Sequence, residues 1–306
     1  MFVLSIVIPV KDGGDDLARC LAAIDAQIID EPVEIIAVDS GSSDDSVETA
    51  LRHGATVLRI PPEEFTHGGS RNLGAEHAHG RILVFISQDA LPMGTGWLSA
   101  LVAPLRDDEN VAGVYGRQLA HPEAAAAEVY FLNFMYGPNG RRQRARSVAQ
   151  VSMDTTLFSN VNSAIRRELW QRFPFSSDIV MSEDQEWSRR VLLAGYDLIY
   201  EPHAPVRHSH SYTLLAAFRR FFDSGVSAER AYMTAESHSA SVLRGRAARY
   251  VVGEVWWLWR TGKARLIPYN AIYELAKMLG LLAGLNHRRI PLSLKRRFTG
   301  LPNAFR

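Results

Sequence analysis

The residues of this chain able to do chemistry stand where apolar runs stop. "RILVFISQDALP", from Arg81 to Pro92, is strand-like up to Ser87 and then presents Gln88 and a bare carboxylate, Asp89. "VEIIAVDSGSSDDS" ends in the same way on Asp39, Ser40, Gly41 and Ser42. "FTHGGSRNLG" offers His67, Gly68, Gly69, Arg71 and Asn72 where a helix begins. Glycines and an arginine at a helix start form a natural anion site. Asp89 would repel such an anion unless a divalent cation lay between them, and acid, phosphate and hard cation make a familiar set. Later, "SEDQEW" puts Glu183 and Asp184 in the first turn of a helix, held rigidly enough for proton transfer. "VRHSH" sets His208 and His210 two positions apart, on one face of an extended segment.

Each group also has a plain structural use. Asp39, Ser40 and Asp44 can turn the chain and cap a helix, the paired glycines permit a tight turn, and acids in a first helical turn complement its dipole. What favours a site is their common position. The first part of the chain alternates Val/Ile-rich runs with helical spacing: strands over "FVLSIVIPV", "VEIIAVDS", "ATVLRI" and "RILVFIS", with helices between. That rhythm predicts βαβ units and a parallel sheet, whose carboxyl edge gathers the groups at Asp39–Ser42, His67–Asn72 and Gln88–Asp89 into one crevice. Ser70 is expected as an N-cap with Gly80 past the helix end, and Ser182 with Gln185 as a capping box. A further strand is expected over "NVAGVYGRQ" and another over "DLIYEP". Between them, "PNGRRQRARS" reads as a mobile basic loop. From Tyr212 onward the spacing is helical.

Composition narrows the class. With 306 residues, 47% hydrophobic and 22% charged, the chain is that of a globular protein with ample core. A net charge of +1 argues against nucleic acid as a partner. The single cysteine, Cys20, excludes an intrachain disulfide and a cysteine metal cluster, which fits a reducing, cytoplasmic setting. "MFVLSIVIPV" lacks a basic leader and runs straight into Lys11 and Asp12, so it reads as a strand rather than a signal. "HGGSRNLG" matches neither the dinucleotide nor the P-loop fingerprint.

Together, "SIVIPVKDGGDDLARCLAAI", "IIAVDSGSSDDS", "FTHGGSRNLG", "SQDALP", "GRQ" and "SEDQEWSRRVLLAGY" stand in an order that resembles family 2 glycosyltransferases of GT-A fold. "EPHAPVRHSHSY" is similar to the rhamnosyltransferase branch in particular, and the likeness spans roughly residues 3 to 222. It implies an α/β, Rossmann-like GT-A domain with a mainly parallel sheet over 1–212, and a helical, basic C-terminal extension over 213–306. It also implies roles. Pro9 and Val10 match the edge of a base pocket, Asp39 the acid that takes the base's imide N–H, and Arg71 a basic residue near the diphosphate, with Gln88 on the nucleotide side. Asp89 matches the last acid of the D-x-D metal motif, and His208 the histidine completing the shell of a divalent cation, Mg2+ or Mn2+. Asp184 matches the catalytic base with Glu183 beside it; Asn160, Asn162 and Trp187 fall where an acceptor is held, Trp187 also on the apolar face of its helix where packing is expected. One departure stands out: Ser87 replaces the first acid of D-x-D.

The expected reaction is inverting transfer of L-rhamnose from dTDP-L-rhamnose to a cell-surface polysaccharide or lipid-linked saccharide. Rival readings are the same fold with a UDP-hexose donor, a metal-dependent hydrolase, and a catalytically silent membrane-binding protein. After Ser241 the cations run Arg244, Arg246, Arg249, Arg260, Lys263 and on to Arg306, opposed only by Glu254 and Glu274. With Trp256, Trp257 and Trp259 among them, this tail suits either an anionic membrane surface at the inner face of the cell membrane or a homodimer interface.

Overall fold

The structure is a computed structural model describing residues 4–233, 239–301 and 304–305. Phe2, Val3 and Arg306 of the expectations above, and the side chain of Arg244, lie outside the described residues. The first half forms as its periodicity requires: β1 (Leu4–Val10), α1 (Gly14–Asp25), β2 (Val33–Asp39), α2 (Ser46–Arg52), β3 (Thr56–Arg59), α3 (His67–His77) and β4 (Ile82–Ile86). Parallel registers run from Leu4↔Val33 to Val10↔Asp39, from Leu4↔Ile82 to Val7↔Phe85, and from Ile36↔Thr56 to Asp39↔Arg59. Alternate residues feed two cores, Ile6, Ile8 and Val84 with α1 on one face and Val7, Leu83 and Phe85 with α3 on the other. Burial on both faces explains why these strands lack polar alternation.

One cap differs from expectation. α3 begins three residues earlier than Ser70, because Thr66 is extended and its hydroxyl accepts the Gly69 N–H at 2.9 Å. At its other end, Ala78 is the C-cap and Gly80 lies past the helix as expected. The two glycines thus sit inside the first helical turn. A Cβ on Gly68 would lie 2.2 Å from the Ser176 carbonyl oxygen, so glycine is what lets this helix start press on the neighbouring loop.

The second half adds β5 (Leu91–Pro92), α4 (Trp97–Asp107), β6 (Val111–Leu119), α5 (Ala126–Met135), β7 (Arg141–Gln143), β8 (Asn162–Arg166), α6 (Arg167–Arg172), α7 (Glu183–Leu193) and β9 (Asp197–Arg207). Among the described residues the sheet has nine strands in the order β3-β2-β1-β4-β8-β6-β9-β5, with β7 also on β9. β1, β2, β3, β4, β6 and β9 point one way, while β8, β5 and β7 run against them. β8 was not foreseen as a strand. β9 is longer than expected, and its pairing with β6 slips between Gly116↔Glu201 and Gln118↔Val206, which carries the chain on to His208.

The basic loop is not a solvated one. Arg141–Gln143 pairs with Leu198–Tyr200, and Arg142, Arg144 and Arg146 converge on the buried carboxylate of Asp197. Arginines at every second position of an extended segment share a face, so one acid can hold all three. These partners hold the Asp197 carboxyl down at about 2 against the opposing effect of burial.

α8 (Leu214–Ala231), α9 (Ser239–Arg260), α10 (Ile267–Leu285) and α11 (Leu292–Phe298) complete the chain. α8 and α10 approach through glycines: a Cβ on Gly280 would lie 2.2 Å from the Phe218 carbonyl oxygen. α9 reaches back to α5, where Gly253 meets the Tyr130 hydroxyl. No described helix is long and apolar enough to cross a membrane.

Candidate functional site

The carboxyl ends of β1 and β4, the ends of β6 and β9, and the start of α7 open into one cavity of about 1090 Å³. Its mouth over the sheet is lined by Pro9, Val10, Arg71, Gln88, Asp89 and Asp184. Asp89 follows β4 and His208 follows β9, a segment fixed by the His208 N–H on the Leu119 carbonyl at 2.9 Å. Asp89 Oδ1 lies 3.6 Å from His208 Nε2 and Oδ2 lies 3.4 Å from His210 Nε2, and the two imidazole nitrogens are 3.1 Å apart. All three ligand atoms fall within 4.8 Å of one another.

The remaining ring nitrogen of His208 is spoken for. Nδ1 meets Gln118 Oε1 at 3.1 Å, and Gln118 Nε2 in turn donates to Ser159 Oγ at 3.0 Å. The glutamine oxygen only accepts, so Nδ1 carries the proton and the Nε2 lone pair faces Asp89 and His210. Burial pushes His208 down to about 4, leaving a neutral ring at pH 7, as a metal ligand requires. One carboxylate and two oriented imidazoles therefore fit a divalent cation, with open positions for a ligand's oxygens. His210, already noted for its H-x-H spacing, joins His208, the one histidine to which the resemblance gives a metal role. Gln118 ends the "GRQ" run of the resemblance, but no role is expected of it there.

Asp184 projects into the same cavity. Its Oδ2 accepts the Asn160 backbone N–H at 3.1 Å and its Oδ1 the Gln185 N–H at 2.8 Å. Burial first, and the neighbouring Glu183 charge second, push its carboxyl up to about 7. That is where a general base at neutral pH is best placed. Glu183 points the other way. Its Oε1 takes Arg71 Nη1 at 2.8 Å and Asn160 Nδ2 at 3.4 Å, and it is buried with them. Burial opposes its charge, but Arg71 foremost, then His67, hold the carboxyl below its usual range. Glu183 thus acts on Asp184 through its charge, with its Oε1 engaged by Arg71 and Asn160. The expected capping box is absent: Ser182 adopts left-handed φ 65°, ψ 36° and makes no side-chain cap bond. Such strain just before the paired acids is typical of functional turns.

Several expected contacts lie elsewhere. Asp39 is buried in its turn, accepting from the Gly41 and Ser42 N–H groups at 3.2 and 3.1 Å, and does not line the cavity. Gln88 borders the cavity, but its amide is paired to the Lys11 backbone, accepting at 2.9 Å and donating at 2.9 Å. It extends the β1–β4 ladder by one side-chain rung. Arg71 borders it too, with its charge matched by Glu183.

Asn160, Asn162 and Trp187 are corrections. All three are fully buried. Asn160 braces the two acids, and Asn162 ties Trp97 Nε1 at 3.0 Å to the Ala204 carbonyl at 2.8 Å. Trp187 packs on Phe158 and Phe175 in the core. None of the three lines the cavity. The residue missed is Arg220 of α8, which lines the cavity and contacts Met181 Sδ. Among the described residues, no carboxylate lies within ion-pair distance of it.

A sheet that delivers acid and histidine ligands beside a poised carboxylate is the arrangement of a GT-A glycosyltransferase. The chain belongs to glycosyl transferase family 2, whose model matches residues 5–172. It is 32% identical over 272 residues to the O-antigen chain rhamnosyltransferase WbaN of Salmonella anatum, covering 88% of this chain and 85% of that one. It is 30% identical over 300 residues to the O-antigen chain rhamnosyltransferase RfbN of Salmonella typhimurium, covering 97% and 94%. Among solved structures, the mannosyltransferase PcManGT of Pyrobaculum calidifontis, in complex with GDP-Man and Mn2+, superposes with TM-score 0.61 at 17% identity over 92% of this chain and 86% of that one. That likeness is one of fold.

Proposed function

We propose that this glycosyltransferase moves L-rhamnose from dTDP-L-rhamnose to a cell-surface polysaccharide or its lipid-linked precursor, with inversion. The observation carrying this reading is the meeting of Asp89, His208 and His210 with Asp184 in one cavity, in a chain about one-third identical to rhamnosyltransferases. Asp184 takes the proton of the acceptor hydroxyl as its oxygen attacks the sugar's anomeric carbon and the bond to the diphosphate breaks. Burial first and the Glu183 charge second keep Asp184 basic enough to do so, against the opposing charge of Arg71. Arg220 offers the diphosphate a guanidinium with no competing carboxylate. Asp89, His208 and His210 hold the cation, which when bound offsets charge on the departing diphosphate. Two imidazoles favour Mn2+ over Mg2+. Pro9 and Val10 border the base, with Asp39 in the turn beside them.

The α9–α10 face supports docking on an anionic membrane at its inner surface. Val252, Trp256 and Trp259 are 70%, 55% and 69% exposed, and the Arg260 guanidinium lies 5.0 Å above the Trp256 ring. Tryptophan beside cations around exposed apolar residues suits the headgroup region. The 1–212 and 213–306 units are thus taken as catalytic and docking parts that share one cavity.

The test is a thermal-shift series with dTDP, UDP and GDP, each with Mn2+ and with chelator, on wild type and His210→Ala. The expected result is the largest shift with dTDP, lost on chelation and in the variant. A GDP preference, or shifts indifferent to chelator, overturns the donor assignment.

A further inference from the structure

With Asn160, Asn162 and Trp187 buried, the acceptor needs another place, and the cavity has one. Beyond Asp184 it runs between α5, α9 and α10, far past what a nucleotide-sugar fills. There Lys277 Nζ stands 4.8 Å from the ring centre of Tyr250, 4.9 Å from Phe221, 5.1 Å from Phe131 and 5.6 Å from Tyr273. It donates to Glu274 Oε1 at 2.8 Å. Glu254, 2% exposed, has a long contact from Asn270 Nδ2 at 3.3 Å, and burial and then the Glu274 charge raise its carboxyl to about 7. Glu128 links this arm to the metal ligands, taking the backbone N–H of His210 while lying in the field of Lys277.

A mixed group of aromatic faces, carboxylates, an amide and one ammonium has three conceivable guests. A phosphate is disfavoured, since Lys277 and Arg246 are already paired, to Glu274 and Asp154, and Glu128 and Glu254 stand beside them. A bare lipid chain is disfavoured too, because it would leave the spare acceptor capacity of Glu254, whose one hydrogen-bond contact among the described residues is the 3.3 Å approach of Asn270, facing hydrocarbon. A sugar ring satisfies both kinds of surface: its C–H faces lie on aromatic rings, and its hydroxyls donate to carboxylate oxygens with acceptor capacity to spare, Glu254 foremost.

We propose that this arm is the acceptor subsite and that it takes a neutral saccharide ring, with Tyr250 and Tyr273 as stacking surfaces and Glu254 and Asn270 as hydroxyl partners. The inference rests on the glycosyltransferase reading, and it locates acceptor recognition on helices beyond the matched family segment. Lys277, caged by rings, is a positioning residue that fixes Glu274 and the aromatic faces.

The test is saturation-transfer NMR on the full chain with methyl α-L-rhamnoside, methyl α-D-mannoside and methyl β-D-galactoside at millimolar concentration, with and without dTDP and Mn2+. At least one glycoside is expected to receive saturation, and the signal is expected to fall about tenfold in Tyr273→Ala and in Glu254→Gln. Tyr273→Phe, which keeps the ring, is expected to retain it, and dTDP binding is expected to stay within about twofold of wild type throughout. No transfer to any glycoside, or transfer that survives both substitutions, overturns the subsite. If Tyr273→Ala does not fold, the near-isosteric Glu254→Gln decides alone. Loss of dTDP binding by the wild type would sink the donor reading instead, because the glycoside signal is also read without nucleotide.

Discussion

Asp184→Asn separates the two things the paired acids do. In the native protein the Asp184 carboxyl is raised from 3.8 to about 7 by burial and by Glu183. A raised acid holds its proton in the folded state over a range where the unfolded chain has lost it. Stability is therefore lost as pH rises from about 4 to about 7, and stays lost above. Three units at about 1.4 kcal/mol each make this roughly 4 kcal/mol at alkaline pH. Asparagine carries no charge, so that penalty disappears. Its single amide oxygen can accept from the Asn160 or the Gln185 N–H, but not from both, and the lost bond returns about 1 kcal/mol. The variant is expected to be about 3 kcal/mol more stable than wild type above neutrality and no more stable near pH 4. Transfer is expected to fall by about 10²–10⁴-fold. The assays are denaturant unfolding across pH 4 to 9 and initial rates of sugar transfer, with wild-type kcat/KM expected to rise with pH about an inflection near 7. Near-normal turnover, or a stability difference that does not change with pH, would refute the assignment of a strained, poised base.

Two further tests address other parts of the molecule. Asp197→Asn removes the carboxylate on which Arg142, Arg144 and Arg146 converge; with its carboxyl held at about 2, the loss at neutral pH is expected to be about 2 kcal/mol by chemical unfolding, and to fade as pH drops through about 2. An unchanged midpoint would mean the three arginines are solvated instead. Replacing Trp256 and Trp259 together by serine is expected to weaken sedimentation with anionic vesicles about tenfold, leaving neutral vesicles unbound and the melting curve unaltered. Retained vesicle binding, or a change from dimer to monomer in its place, would assign this face to a second copy of the chain.

How much of this the sequence carried depends on the range of the interactions. The parallel half was legible because β1, β2 and β4 are buried on both faces, and burial forces continuous Val/Ile runs that leave their acids at one edge. Asp89 stood out for the same reason, whereas the roles expected of Asp184 and His208 came from the resemblance of their ordered motifs to a family and not from periodicity. Caps were less legible. Ser70 and Ser182 carry the right hydroxyl, but Thr66 is extended and takes the role at α3, while the left-handed turn at Ser182 turns its hydroxyl away from capping.

The rest was decided in three dimensions. Side-chain type left Asn160 and Asn162 open to an acceptor, while Trp187 on the apolar face of its helix already read as packing; Asn162 is buried in β8, inserted antiparallel between β4 and β6, and Trp187 on Phe158 and Phe175. A basic run reads as solvated until Asp197, some fifty residues away, is seen to receive it. Likewise Gln118 orients His208, Arg220 faces the cavity and Lys277 enters its cage through contacts between elements distant in sequence. Periodicity records which face of an element is covered, and so it fixed the strands and the edge where chemistry gathers. It does not record what covers that face, and the charges, tautomer and acceptor surface of the site are set by the covering.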